Sequence, residues 1–162
     1  MTIDRREMER LIPALRRYAR GLTGHAATAD DLVQDCLLRA ISRDRQFRGV
    51  NLAGWLYAIL TNLARSEQRT RRRQPSIGPL TDHADAGSDP ASRIGILAAL
   101  GALGRDQREV LLLTAVEGFT YEETAEIIAV PIGTVMSRLA RARDALAERL
   151  EGAPVVPLRR LR

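Results

Sequence analysis

Apolar residues return every three or four positions through most of this chain, and the strict alternation of a half-buried strand is missing, so the pattern predicts helices throughout. Met8, Leu11, Ile12, Leu15, Ala19 and Leu22 form the first stripe, with Pro13 near its start or at a kink and Gly24 closing it. Thr28 followed by Asp31 has the form of a capping box. It opens a second helix whose predicted buried face is Leu32, Val33, Cys36, Leu37, Ala40 and Ile41. After a polar connection at 44–50, Asn51 can cap a third, longer helix in which Leu52, Trp55, Leu56, Ile59, Leu60 and Leu63 share one face.

Residues 74–88 change character. Pro75, Ser76, Gly78, Pro79, Thr81, Asp82, Asp85, Gly87 and Ser88 leave almost nothing to bury, which predicts a flexible linker. Asp89 and Pro90 then read as an N-cap and first helical residue, followed by a stripe of Ile94, Leu97, Leu100 and Leu103 that Gly104 breaks. A further helix is predicted over 105–116, closed by Gly118, and Thr120 with Glu123 forms a second capping box. The tail at 152–162 has no periodicity and is predicted to be disordered or to order only on binding. The expected fold is all-α: two small helical domains at 1–73 and 90–151, joined by a flexible linker at 74–89, the second containing a helix-turn-helix.

Composition narrows the function. With 162 residues the chain has room for one ordinary domain or two small ones, which argues against a large enzyme with a deep cleft. Its 25 basic residues outnumber 20 acidic ones, and every basic residue is arginine. Arginine suits planar, bidentate contact with phosphate and guanine, although a codon bias would produce the same absence of lysine. Cys36 is the one cysteine and sits among leucines, so it reads as core; His25 and His83 are isolated, and neither a disulfide, a metal site nor a cofactor is expected. The amino terminus is charged, and no stretch approaches the ~20 apolar residues that span a bilayer. A soluble cytoplasmic protein without membrane insertion is the expectation. Paired carboxylates, a nucleophile with its base and a phosphate-cradling glycine loop are all missing from the pattern, which disfavours an enzyme.

Three constellations carry candidate chemistry. The first is a helix at 120–129, a tight connection at 130–133 and a longer helix at 134–150, the pattern of a helix-turn-helix. Val135, Leu139, Ala142, Leu146 and Leu150 line one side of the longer helix; Ser137, Ala140, Arg141 and Asp144 lie opposite, flanked by Met136, Arg138 and Arg143. Such a face fits a major groove, and the amides at Thr134 could meet a phosphate; a plain helical bundle with surface arginines fits the same spacing. The second is Thr61, Arg65, Arg69 and Arg72, recurring on the side of the third helix away from Trp55 and Leu63, with Arg71 and Arg73 beside them and Glu67 as the nearby acid. A row of phosphates would relieve their repulsion, and so would water at a helix end. The third is Asp31, Gln34 and Asp35, which project from the second helix as a patch for a basic protein partner, or as helix-start acids with Asp35 paired to Arg39.

Three stretches together resemble the extracytoplasmic-function sigma factors of bacterial RNA polymerase: ADDLVQDCLLRA at 29–40, NLAGWLYAILTNLARSEQRTRRR at 51–73, and REVLLLTAVEGFTYEETAEIIAVPIGTVMSRLARAR at 108–143. The resemblance implies that Asp31, Gln34 and Asp35 meet the polymerase clamp. It implies that the connection carrying Phe47 and Asn51 captures an unpaired base of the minus-ten element, with Asn62, Arg65 and Arg69 nearby. It also implies that Thr134, Ser137, Arg138, Ala140 and Arg141 read the minus-thirty-five element. The implied partners are core RNA polymerase, double-stranded and locally melted promoter DNA, and an anti-sigma protein. FRGVNLAGWLYAILTN at 47–62 is similar to the general-stress subgroup, whose members a small anti-sigma protein holds inactive until a mimic displaces them. Gly104 stands where the family has proline, Ala129 where it has glycine, Met136 where it is often basic and Ala140 where it is often larger. Two rival readings remain from the sequence: a sigma-like mimic that sequesters the anti-sigma protein, and an autonomous repressor using its helix-turn-helix as a symmetric dimer.

Overall fold

The computed structural model describes residues 3–73 and 90–150. The expected linker at 74–89, the N-cap at Asp89, the tail at 152–162 and the side chains of Ile94 and Leu97 lie outside the described residues.

Helix α1 (Arg5–Thr23) starts where the Asp4 carboxylate accepts the Arg6 amide at 2.9 Å, and ends at Gly24, whose φ of 75° lets its amide reach the Arg20 carbonyl at 2.8 Å. Pro13 lies well inside it rather than at its start. Helix α2 (Ala26–Ser42) begins immediately afterwards, with His25 at the N-cap and no side-chain capping bond. The capping box expected from Thr28 and Asp31 is therefore not formed. The helix has already started two residues earlier, and the Thr28 hydroxyl instead accepts from Arg71. Leu32, Val33, Cys36 and Ala40 are buried as expected, but Ile41, in the last turn, is 46% exposed.

A short 3-10 turn (Asp44–Gln46) leads to helix α3 (Leu52–Arg73). Here the sequence signal holds: the Asn51 side chain accepts the Gly54 amide at 2.8 Å. A β-carbon on residue 54 would lie 2.8 Å from Asn51 Nδ2, so glycine is what allows this cap to fold over the helix start.

Helices α4 (Pro90–Ala102) and α5 (Arg105–Leu111) follow, and α5 runs on into a π-helical turn (Leu112–Val116) in which the Glu117 amide reaches the Leu112 carbonyl at 2.9 Å. Helix α6 (Tyr121–Ile128) carries the full capping box of Thr120 and Glu123. It stops at Ala129 in the left-handed region, φ 57° and ψ 53°. Helix α7 (Ile132–Leu150) begins two residues before the expected Thr134, because the Pro131 carbonyl already accepts the Thr134 amide at 2.9 Å.

Helices α1–α3 and α4–α7 form two bodies, but they share one continuous core rather than two separate ones. Tyr57 of α3 lies between Tyr18 of α1, ring centroids 5.1 Å apart, and Phe119 before α6, 4.9 Å away at 72°. Arg108 joins them again: its guanidinium donates to Leu22 of α1 at 2.9 Å and to Leu100, Gly101 and Leu103 at the end of α4. One guanidinium thus ties the last turn of α1 to the end of α4, supplying donors to carbonyls that helix ends leave short of partners. A β-carbon on Gly21 would lie 2.8 Å from the Leu112 side chain, which shows how closely α1 approaches the π turn.

Candidate functional site

The charges along α3 divide between the two bodies in a way that spacing alone does not reveal. Thr61, expected on the exposed side, is fully buried; its hydroxyl donates to the Tyr57 carbonyl at 2.7 Å and shares a 2.9 Å hydrogen bond with Tyr18. Arg65, one turn on, points toward the other body, where its Nε and Nη2 donate to both oxygens of Glu109 at 3.0 and 2.7 Å. That hydrogen bond raises the guanidinium's pKa against the lowering effect of burial. Glu109 is 1% exposed, and Arg105 lies 3.7 Å from it on α5. Arg65 is therefore not presented to solvent as a phosphate contact in this arrangement. Arg71 pairs with Glu67 at 2.8 Å, while Arg69, Arg72 and Arg73 are exposed at the end of the helix.

A second buried acid repeats the motif. Glu117, its side chain 2% exposed, takes both Nε and Nη2 of Arg17 at 3.0 and 2.7 Å and the Tyr57 hydroxyl at 2.8 Å. Burial and the adjacent carboxylate raise the Tyr57 pKa. The sequence reading missed both acids. Glu109 did leave a signal, since it sits one helical turn before Leu113 on the apolar stripe that runs from α5 into the π turn.

On α7, Val135, Leu139 and Ala142 are buried, and Ser137, Ala140, Arg141 and Asp144 face solvent. Arg141 has no ion-pair partner among the described residues. Arg138 lies half-buried, 3.6 Å from Asp106. Thr134 is inside the helix with its amide already bonded, so the free amides of the first turn belong to residues before it. A cleft of about 600 Å³ runs between the end of α3 and this face, lined by Arg72, Arg105, Thr134, Ser137, Arg138 and Arg141. Four of the side chains expected near DNA, Thr134, Ser137, Arg138 and Arg141, thus line one basic cleft, with Arg72 brought to them from the other body.

Asp31, Gln34 and Asp35 are all exposed on α2, beside Leu38, which is 65% exposed. In the connection before α3, Phe47 packs on Trp55 with centroids 5.3 Å apart, and Asn51 commits its carbonyl oxygen to the cap of Gly54. Asn62 and Arg69 are exposed on α3. Cys36 is buried, which pushes its thiol up to about 12 and leaves it a core residue rather than a nucleophile. None of the described helices is long and apolar enough to cross a membrane. Among the described residues no cluster of His, Cys, Asp and Glu could hold a metal ion.

Comparison with known proteins agrees with this geometry. Residues 8–61 match a family model described as the Sigma2 domain of PhyR, and residues 93–146 match Sigma-70, region 4. The ECF RNA polymerase sigma factor EcfG of Rhodopseudomonas palustris is 42% identical over 142 residues, covering 84% of this chain and 78% of that protein. The ECF RNA polymerase sigma factor SigC of Mycobacterium tuberculosis is 36% identical over 126 residues, covering 74% and 68%. Among solved structures, the sigma factor RpoE in complex with the anti-sigma factor NepR from Bartonella quintana superposes with a TM-score of 0.82 at 37% identity, covering 93% of this chain and 98% of that one.

Proposed function

This chain belongs to the extracytoplasmic-function sigma factors of RNA polymerase, and from that premise we propose how its parts divide the work. The protein binds core polymerase and directs it to promoters for transcription initiation. Residues 1–73 act as the domain that docks on the polymerase and handles the minus-ten region. Residues 90–151 act as the domain that reads the upstream element, with 74–89 as the connector. The exposed, basic face of α7 behind a tight left-handed turn carries this reading, since Ser137 and Arg141 stand where a helix-turn-helix presents its groove-reading side chains.

Asp31, Gln34 and Asp35 supply a negative patch for the clamp, supported by their exposure on α2. The connection that carries Phe47 and Asn51 holds an extruded base, and holding such a base lowers the cost of opening the duplex. Asn62, Arg65 and Arg69 lie downstream of them on α3. Because Arg65 is held by Glu109, it reaches DNA only after the two bodies part. Likeness to a sigma factor bound by NepR supports an anti-sigma partner that takes the closed arrangement, and membership of the general-stress subgroup.

A second reading has one observation in its favour: the amino-terminal body matches the Sigma2 domain of PhyR, and PhyR is described as an anti-anti-sigma factor. A mimic of that kind would bind the anti-sigma protein without starting transcription.

Transcription reconstituted from the purified chain, core polymerase and genomic fragments separates the two. Initiation at discrete sites that core alone ignores supports the sigma reading, and its absence contradicts it. Reversing the patch with Asp31→Arg and Asp35→Arg together places like charges against the clamp. This should weaken core binding about 100-fold or more, at a cost of several kcal/mol, while the helical circular dichroism stays unchanged.

A further inference from the structure

Two large apolar side chains stand in water on the first turns of α7: Ile132, 37% exposed, and Met136, 48% exposed. Four residues apart, they share one strip of the helix. Their surroundings are of another kind. Ser137, Ala140 and Arg141 are exposed beside them, and Arg138 and Arg105 line the neighbouring cleft.

We propose that Met136, backed by Ile132, reads a thymine methyl group in the upstream promoter element, a role that rests on the reading of α7 as the groove helix. Phosphates give an apolar side chain no partner, whereas the major-groove edge of thymine carries a methyl group among polar atoms. The early turns of the second helix are the part that reaches base edges in a helix-turn-helix. Arg141, exposed beside the strip with no ion-pair partner among the described residues, commits its occupant to a polyanion, because an apolar protein face would have to bury that cation unpaired. Methionine, unbranched and polarizable, can shape itself around a single methyl. Withdrawing one such group from water is worth about fourfold in affinity, from ~0.8 kcal/mol per buried carbon.

The test removes the methyl and nothing else. Holoenzyme assembled from the full chain and core polymerase selects duplexes from a random library. The selected duplex is then remade with deoxyuridine replacing each thymine in turn. Binding should fall about fourfold at one or two thymines. Met136→Ala should erase that difference, Met136→Leu should keep most of it, and Arg141→Ala should weaken binding to both forms while leaving their ratio intact. Equal binding of thymine and deoxyuridine duplexes at every position overturns the proposal, as does a difference that survives Met136→Ala. If Arg141→Ala still weakens binding in those cases, α7 remains the groove helix and only the methyl contact is lost. A library that returns no upstream sequence, together with an inert Arg141→Ala, removes both. Loss of an anti-sigma contact in Met136→Ala with the thymine preference untouched would assign the strip to a protein partner, and the proposal fails then too.

Discussion

On α3, Arg65 turns toward the other body and delivers two guanidinium nitrogens to Glu109 at 3.0 and 2.7 Å, whereas on α7 Arg141 stands in water with no ion-pair partner among the described residues. Both arginines sit on amphipathic helices at helical spacing from other cations. What separates them is the partner across the interface. Glu109 is nearly inaccessible to solvent, and a buried carboxylate without a cation is among the costlier things a fold can contain. Arg65 is held by that requirement, while Arg141 has no comparable acid to satisfy and remains available to a ligand. Charge on a helix thus divides into a share that the fold consumes and a share that function can use, and burial of the counter-ion decides which.

This difference can be broken at either helix. The largest effect is expected from Arg65→Ala, which leaves Glu109 buried with only Arg105 at 3.7 Å. Stability to urea should fall by about 3 to 5 kcal/mol, nearer the lower figure because the Arg65 side chain keeps some contact with water. A loss below about 0.5 kcal/mol would mean that the pair does not hold the two bodies together.

Next comes alkaline pH. Tyr18 and Tyr57 are buried in the joint between the bodies, and burial raises both phenols above their usual value of 10.0. The neutral phenol is therefore favoured in the fold. Its contribution is complete below pH 10.0 and is lost as pH rises from there toward the folded-state values. Each tyrosine should steepen the loss of stability by up to ~1.4 kcal/mol per pH unit, measurable as denaturation midpoints between neutral and strongly alkaline buffer. A flat profile above pH 10.0 would contradict the burial of these rings.

A smaller gain is expected at Ala129, the one non-glycine residue with positive φ among the described residues. Ala129→Gly relieves the clash of its β-carbon and should stabilise the protein by about 1 kcal/mol, read from thermal unfolding. Smallest of all, Arg141→Ala should change stability by less than about 0.5 kcal/mol, in contrast to Arg65→Ala.

The features legible in the sequence were those whose causes lie within a few residues. Thr120 and Glu123 close their box within one turn of α6, Asn51 caps Gly54, and Ala129 takes the left-handed turn that its place in the helix-turn-helix demands. Remote causes were not legible. Nothing near Arg65 announces a carboxylate 44 positions away on another body, and Thr61 gives no local sign that Tyr18 covers it. Thr28 misled because the capping pattern was present but the helix had already started at Ala26, and Thr28 went to Arg71 instead. Likewise α7 starts two residues before the position its sequence suggests: Pro131 and Ile132 have turn character, yet the Pro131 carbonyl opens the helix.

The most direct measurement is where polymerase starts. Transcript 5′ ends should be mapped after reconstituting core polymerase with the wild-type chain and with Arg141→Ala on the same genomic fragments. Starts restricted to sites with a shared upstream sequence, and a loss of preference for that sequence worth about 1 to 3 kcal/mol in the variant, are the predicted result. Identical start sites and intensities for both proteins, or no new starts with either, would contradict it.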